Sequence, residues 1–327
     1  MDELARKVAE YRNKLTAVKE EVSKGIIGQS VVVDSVLACI ACNGHVLIES
    51  VPGLAKTLLV RVLTSTVDGA TFQRVQFTPD LLPSDITGTT VYEEKRGFYT
   101  VKGPIFANFL LGDEINRAPP KVQSAMLQGM AERIVTIGKE TFPLPNPFIV
   151  LATQNPLEQK GVYPLSLAQV DRFLFKIFVD YPDEESEIII LNQNSMIKKM
   201  DEYGIKKVLT TQDIIDIQSC VKEIRLSLEV KEYITDIIDA TRHPTEYGID
   251  EGKYIRWGAS PRATIGLSLA ARATALLNNR TFAIPNDVRA TAHLVLRHRI
   301  VLNYEGKARG IDADDVIDSI IQNVPVR

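Results

Sequence analysis

Cysteine is scarce in this sequence: three residues in 327, at positions 39, 42 and 220. So few exclude a disulfide framework as the source of stability. Cys39 and Cys42 form a C-x-x-C, but no second Cys or His pair lies near them in sequence to complete a zinc site. The surrounding run VVVDSVLACIAC reads as a helix introduced by Ser30 as N-cap, so buried helix cysteines are expected. Histidine is equally thin, and His293 and His298 are five apart on a helical stretch, off any shared face for a metal. No run approaches 18 consecutive apolar residues, which excludes a membrane-spanning helix. An excess of positive charge is also missing. The net charge of −3 argues against a protein built mainly on phosphate-backbone contacts. The N-terminal stretch MDELARKVAEYRNKL has helical spacing and mixed charge, not the basic-then-apolar layout of a secretion signal, so the cytoplasm is the expected location.

What is present is an ordinary globular composition on a chain long enough for two domains. The first half alternates apolar runs with helical ones. HVLIE (45–49), TFQRVQF (71–77), ANFLLGDE (107–114), PFIVLAT (147–153) and FLFKIFV (173–179) read as strands, and KTLLVRVLTSTV (56–67) as a helix. Continuous apolar strands separated by helices require a parallel sheet covered on both faces. Two inserts read as hairpins, 90–103 with Arg-Gly at its tip and 133–145 with Gly-Lys at its turn. At YPDEESE (181–187) the pattern changes, and from there the apolar spacings are helical, with no strand of comparable strength. The expected fold class is therefore α/β: an αβα core over residues 1–181 and an all-helical domain over 182–327.

Three strand ends carry chemistry. After HVLIE comes SVPGLAKT, which resembles G-x-x-x-x-G-K-[ST] with Ser50 and Ala55 in the two glycine places and Lys56 and Thr57 intact. Such a loop holds phosphates through backbone N–H groups at a helix N-terminus, with lysine reaching the terminal phosphates. Ala55 costs little there if its φ is negative and ~1–2 kcal/mol if positive. The strand NFLLGDE ends in Asp113-Glu114, an acidic pair suited to a Mg²⁺ ion and to deprotonating an attacking water. Two solvated surface carboxylates are the plainer alternative. The strand PFIVLAT ends in Gln154-Asn155, and Asn155 either touches a γ-phosphate or is simply a loop residue before Pro156.

VPGLAKT, FLLGDEINRAPPKVQSAMLQGM, IVLATQNPLEQKGVYPLSLAQVDRFLF and GASPRATIGLSLAARA together resemble the MoxR family of AAA+ ATPases, a match running from about Ile27 to Ile300. The resemblance implies an αβα nucleotide-binding core with a helical lid, and hexameric rings with ATP and Mg²⁺ between subunits. The hairpin at 90–103 corresponds to the helix-2 insert of that clade, and the one at 133–145 to the hairpin before sensor 1. Residue by residue, it makes Lys56 and Thr57 the Walker A lysine and metal ligand, within a loop of Pro52, Gly53, Leu54, Ala55 and Leu58. It makes Asp113 and Glu114 Walker B, Asn155 sensor 1, Arg172 an arginine finger toward a neighbouring subunit, and Arg262 sensor 2. Ile27 and Gly28, in GIIGQ, fall where the family lays chain against adenine. Ser50 departs from the family, where glycine is usual. Arg172 has a local alternative in Asp171.

The resemblance implies an ATPase that remodels or assembles other proteins, such as a metal-cofactor enzyme or a complex with a von Willebrand factor A domain protein. Related proteins are nucleic-acid motors, but no helix-turn-helix module or strong basic block is evident, and Lys95, Arg96 and Lys102 are too few to indicate one. A chelatase motor subunit shares the clade. A scaffold that binds ATP without turnover is disfavoured by the intact Glu114.

Overall fold

Apolar runs in the first half become parallel strands in the computed structural model, which describes residues 3–51, 53–95, 97–156, 161–193 and 200–326. The N-terminal helices are α1 (Glu3–Ser23) and α2 (Ser30–Ala41). Ser30 opens α2 as its first helical residue and does not cap it. Gln29 holds the cap position, without a side-chain hydrogen bond. Cys39 and Cys42 are buried free thiols, Cys42 lying just past the end of the helix. Burial raises the pKa of the Cys42 thiol and leaves it neutral.

Then follow β1 (Val46–Ser50), α3 (Lys56–Ser65), β2 (Val67–Asp68), β3 (Phe72–Gln76) and α4 (Pro83–Thr87). The first hairpin is β4 (Gly88–Glu93) with β5 (Gly97–Lys102); Arg96 at its tip lies outside the described residues. After β6 (Phe109–Asp113) and α5 (Pro120–Glu132) the second hairpin is β7 (Ile134–Ile137) with β8 (Glu140–Pro143). β9 (Ile149–Gln154), α6 (Leu167–Val170), β10 (Phe175–Val179) and α7 (Glu184–Gln193) follow.

The five long strands form one sheet in the order β10-β1-β9-β6-β3. The pairings β1–β9, β9–β6 and β6–β3 are parallel. Side chains alternate across a sheet. Leu47, Leu110, Val150 and Ala152 join a core cluster with Val122, Met126 and Leu127 of α5. The intervening Val46, Ile48, Leu111, Ile149 and Leu151 are buried too, so the central strands are covered on both faces. That is why these strands read as unbroken apolar runs.

Later in the chain come β11 (Leu209–Thr210), α8 (Thr211–Glu223), α9 (Leu228–Ala240), β12 (Ile255–Trp257), α10 (Pro261–Leu277), α11 (Pro285–Leu296), β13 (Val301–Leu302), α12 (Tyr304–Ala308) and α13 (Ala313–Asn323). Three short strands therefore stand where the sequence predicts helix and loop alone. β11 pairs with β2 and β12 with β13, in ladders of two or three residues, too short to show a periodicity.

The described chain divides into two compact units. One holds Lys14–Phe173 and Ile177–Ile215; the other holds the residues up to Asn13, Leu174–Lys176 and the chain from Asp216 onward. In the second unit, α9 buries Val230, Tyr233, Ile234, Ile237 and Ile238, spaced by three and four along one face. Small residues let α10 approach α11 closely: a Cβ on Gly266 would stand 3.1 Å from a methyl of Val295. Asp287, buried at the start of α11, holds Arg280 through both carboxylate oxygens. His293 pairs with Asp318, and His298 lies beyond the end of α11. No group of His, Cys, Asp and Glu among the described residues is arranged to hold a metal by itself. Among them, no helix is long and apolar enough to cross a membrane.

Candidate functional site

Parallel pairing brings the informative strand ends to one edge of the sheet. The register sets Glu49 of β1 beside Gln154 of β9, and Gln76 of β3 beside Asp113 of β6. Ser50, Asn155, Asp113 and Gln76 therefore emerge side by side, with the β9 end between the loop strand and the acidic strand.

From Ser50 the chain turns into α3 through a loop whose Pro52 lies outside the described residues. Gly53 has φ of 90°, and among the described residues no atom beyond its chain neighbours lies within 4 Å of where its Cβ would be, so the loop rim is open there. Leu54 is buried and anchors the turn. Ala55 sits at φ 49°, the left-handed conformation, which is the costlier of the two cases for a residue with a Cβ. α3 then starts at Lys56, followed by Thr57 and Leu58 in its first turn, with no side chain capping its N-terminal N–H groups.

Lys56 Nζ donates to the carbonyl oxygens of Ser50 and Val51, each at 3.3 Å. Burial lowers its pKa, and the carboxylates of Asp113 and Glu114 pull the other way. The loop lysine thus lies within the field of the acidic pair, though 57 residues separate Lys56 from Asp113.

The acidic pair is itself held. Asp113, 8% exposed, accepts the Thr153 hydroxyl at 2.6 Å on one oxygen and Arg74 on the other, Nη2 at 2.7 Å and Nε at 3.2 Å. Glu114 has φ of 56°, a second strained residue at this edge. Its backbone N–H donates to Thr153 Oγ1, and its Oε2 accepts from Gln76 Nε2 at 2.7 Å and Arg117 Nη1 at 3.0 Å. Arg74, Gln76, Arg117 and Thr153 surround the acidic pair, and sequence reasoning singled out none of them. The available signal was spacing: Arg74 and Gln76 are two apart on a strand, hence on one face, and Arg117 follows Glu114 by three.

Asn155 is buried at the end of β9. Gly28 has φ of 72°, and a Cβ there would lie 2.6 Å from Ser186 Oγ, so only glycine fits; Ile27 beside it is half-buried. Arg172 is exposed and donates to the Leu127 carbonyl of α5 at 2.7 Å. Arg262 is exposed in the first turn of α10, in the other compact unit, and its N–H donates to the capping Ser260 hydroxyl.

The residues present fit a phosphate chain with a hard divalent cation. Carboxylate and hydroxyl oxygens suit such a cation. A lysine, an open loop and uncapped helix N–H groups suit the anion. Ser50 Oγ, buried at the strand end, has no hydrogen-bond partner among the described residues, as expected of a polar atom that completes its bonding with a ligand or water.

An αβα core with a lysine loop and an acidic pair at one sheet edge has the layout of the nucleotide-binding ATPases, and comparison with known proteins gives that class. Residues 45–175 match the ATPase family associated with various cellular activities (AAA), and 250–320 match the AAA lid domain. Chaperone MoxR1 of Mycobacterium tuberculosis is 46% identical over 93% of this chain and 80% of its own. Protein MoxR of Paracoccus denitrificans is 30% identical over 98% of each. A crystal structure from Cytophaga hutchinsonii, of a protein provisionally described as an ATPase, superposes with a TM-score of 0.92 at 46% identity. It covers 98% of this chain and 97% of its own. The chain belongs to the MoxR family of AAA+ ATPases.

Proposed function

We propose that this chain binds ATP with Mg²⁺ at the sheet edge, hydrolyses it to ADP and phosphate, and couples the cycle to remodelling, assembly or cofactor maturation of partner proteins. The observation that carries this is the convergence of Lys56, Asp113 and Glu114 on one edge, with the lysine in the field of both carboxylates. Mg²⁺, when bound, neutralises phosphate charge. Thr57 and Asp113 hold it, Lys56 reaches the terminal phosphates, and Glu114 orients and deprotonates the attacking water. Gly53, Leu54, Ala55 and Leu58 supply the loop that wraps the phosphates, and Ile27 and Gly28 lie beside the base. Asn155 positions the water or the γ-phosphate. Arg172 serves a neighbouring subunit's ATP in a hexameric ring, and Arg262 carries the sensor role of the lid. Protein clients are favoured by the relative named as a chaperone.

Lys56→Ala should lose ATP binding, because the phosphates lose their main point charge. Glu114→Gln should bind ATP and fail to turn it over. Equilibrium nucleotide binding and phosphate release on the two variants test the assignment, and full turnover by Glu114→Gln overturns it.

A further inference from the structure

We infer that Arg74 is an exchangeable counter-cation of Asp113: it holds the carboxylate in the metal-free protein and competes with a divalent metal ion for it. This rests on the nucleotide-site reading above. The two partners are unequal in burial. The Asp113 side chain is 11% exposed, whereas that of Arg74 is 45% exposed. A carboxylate so buried requires a positive partner or strong donors. A guanidinium so exposed moves into water at small cost.

The hydrogen bonds make the competition specific. Both Arg74 donors converge on Asp113 Oδ2, while Oδ1 is taken by the Thr153 hydroxyl. Thr153 also accepts the Glu114 N–H, which fixes it at the strand end. Oδ2 is therefore the oxygen that changes partners, and a metal ion drawing on the Asp113 carboxylate meets Arg74 there. Arg74 keeps a second anchor when it leaves. Its Nη2 donates to Gln76 Oε1 at 2.6 Å, and the Gln76 amide is oriented by donating to Glu114. Arginine only donates and carboxylate only accepts, so this is the one amide orientation that serves both. Gln76 thus gives Arg74 a place to stay beside the site after release. A purely structural salt bridge, tying the edge strand β3 to β6, has no need of a half-exposed partner with a second anchor.

The test is metal binding, with Mn²⁺ as the probe and ADP as the nucleotide, so that no turnover is involved. Free Mn²⁺ is followed by its paramagnetic resonance signal in the full chain and in Arg74→Gln, Arg74→Ala and Arg74→Lys. ADP affinity is measured separately in chelator. Removing the charge should tighten Mn²⁺ binding about tenfold in Arg74→Gln and Arg74→Ala, the scale of one charged hydrogen-bonded contact. Arg74→Lys, which restores a cation, should return it toward the wild-type value, and metal-free ADP affinity should not change. Arg74→Ala leaves Asp113 unpaired and should melt earlier, with a larger recovery on adding Mn²⁺ and ADP than the wild type shows. Arg74→Gln carries the metal measurement if the alanine variant fails to fold. Unchanged or weaker Mn²⁺ binding in the neutral variants overturns the inference and leaves the nucleotide reading standing. A parallel loss of metal-free ADP affinity overturns it in favour of a phosphate contact. Absence of ADP binding in the wild type overturns both.

Discussion

At the residue scale, two positions in the loop depart from the glycine pattern, and the structure treats them differently. Ala55 takes the left-handed backbone with φ of 49°, so its methyl group is a strain and not a neutral replacement. Ala55→Gly relieves ~1–2 kcal/mol of left-handed strain and adds ~0.5–1 kcal/mol of unfolded-state entropy. The expected outcome is a net stabilisation of about 0.5–1 kcal/mol, with nucleotide affinity kept, measured by denaturant unfolding and ADP titration. A destabilised Ala55→Gly protein would show that the methyl packs productively. Ser50 ends β1 with a buried hydroxyl, a position any small residue occupies without strain. The family match tolerates both departures, and the sign of φ at Ala55 is something no residue pattern encodes.

At the element scale, the central strands are held by one buried histidine as well as by apolar packing. His45, just before β1, accepts the Val150 N–H of β9 on Nδ1, and its Nε2 faces the Met130 carbonyl at 3.3 Å. Only the neutral ring with its proton on Nε2 meets both. Burial, assisted by the nearby Arg133, pushes its pKa down to about 3. The unfolded chain takes up this proton below about 6.5, whereas the folded chain refuses it until about 3. Stability from His45 is therefore complete above pH ~6.5 and falls as the pH drops, by about 1.4 kcal/mol per unit. The loss should reach about 2–3 kcal/mol near pH ~4.5. His45→Gln should be less stable at neutral pH but flatter between pH ~6.5 and ~4. Equal slopes for the two proteins in urea unfolding across that range would contradict the neutral buried ring. The elements themselves were largely legible: β1, β6 and β9 are apolar runs because both of their faces are covered. β11, β12 and β13 were not, because their pairing partners are distant and their own patterns too short.

At the scale of the whole molecule, the arrangement of Arg172 bears on assembly. It is exposed, follows α6, and is placed by its bond to the Leu127 carbonyl of α5, so its position is set within its own chain. An arginine supplied in trans contributes on the order of 10³–10⁵ in rate. Arg172→Ala should therefore bind ATP normally and hydrolyse it slowly. Mixing it with Lys56→Ala should restore part of the activity, since an intact site on one chain borrows an intact arginine from another. Wild-type activity per chain should also rise with protein concentration. Mixed oligomers that demonstrably form yet stay inactive, or a dilute monomer with full activity, would rule out a shared site.

The identities of Lys56, Asp113 and Glu114, and their places at a helix start and a strand end, were set by local sequence. Apolar strands, a lysine at a helix start and an acidic pair after a buried run are each written within about ten residues. The partners of those groups were decided only by tertiary structure. Arg74 lies 39 residues from Asp113, and Thr153 lies 40 from it. Both meet it because β6 pairs with β3 on one side and β9 on the other, in one particular register. Register is a property of the closed sheet, set by which faces the whole core buries, and a one-residue slip in β3 would send Arg74 to the opposite face. The charged frame around the acidic pair is thus a consequence of packing far from it, which is why it could not be read from the residues one strand at a time.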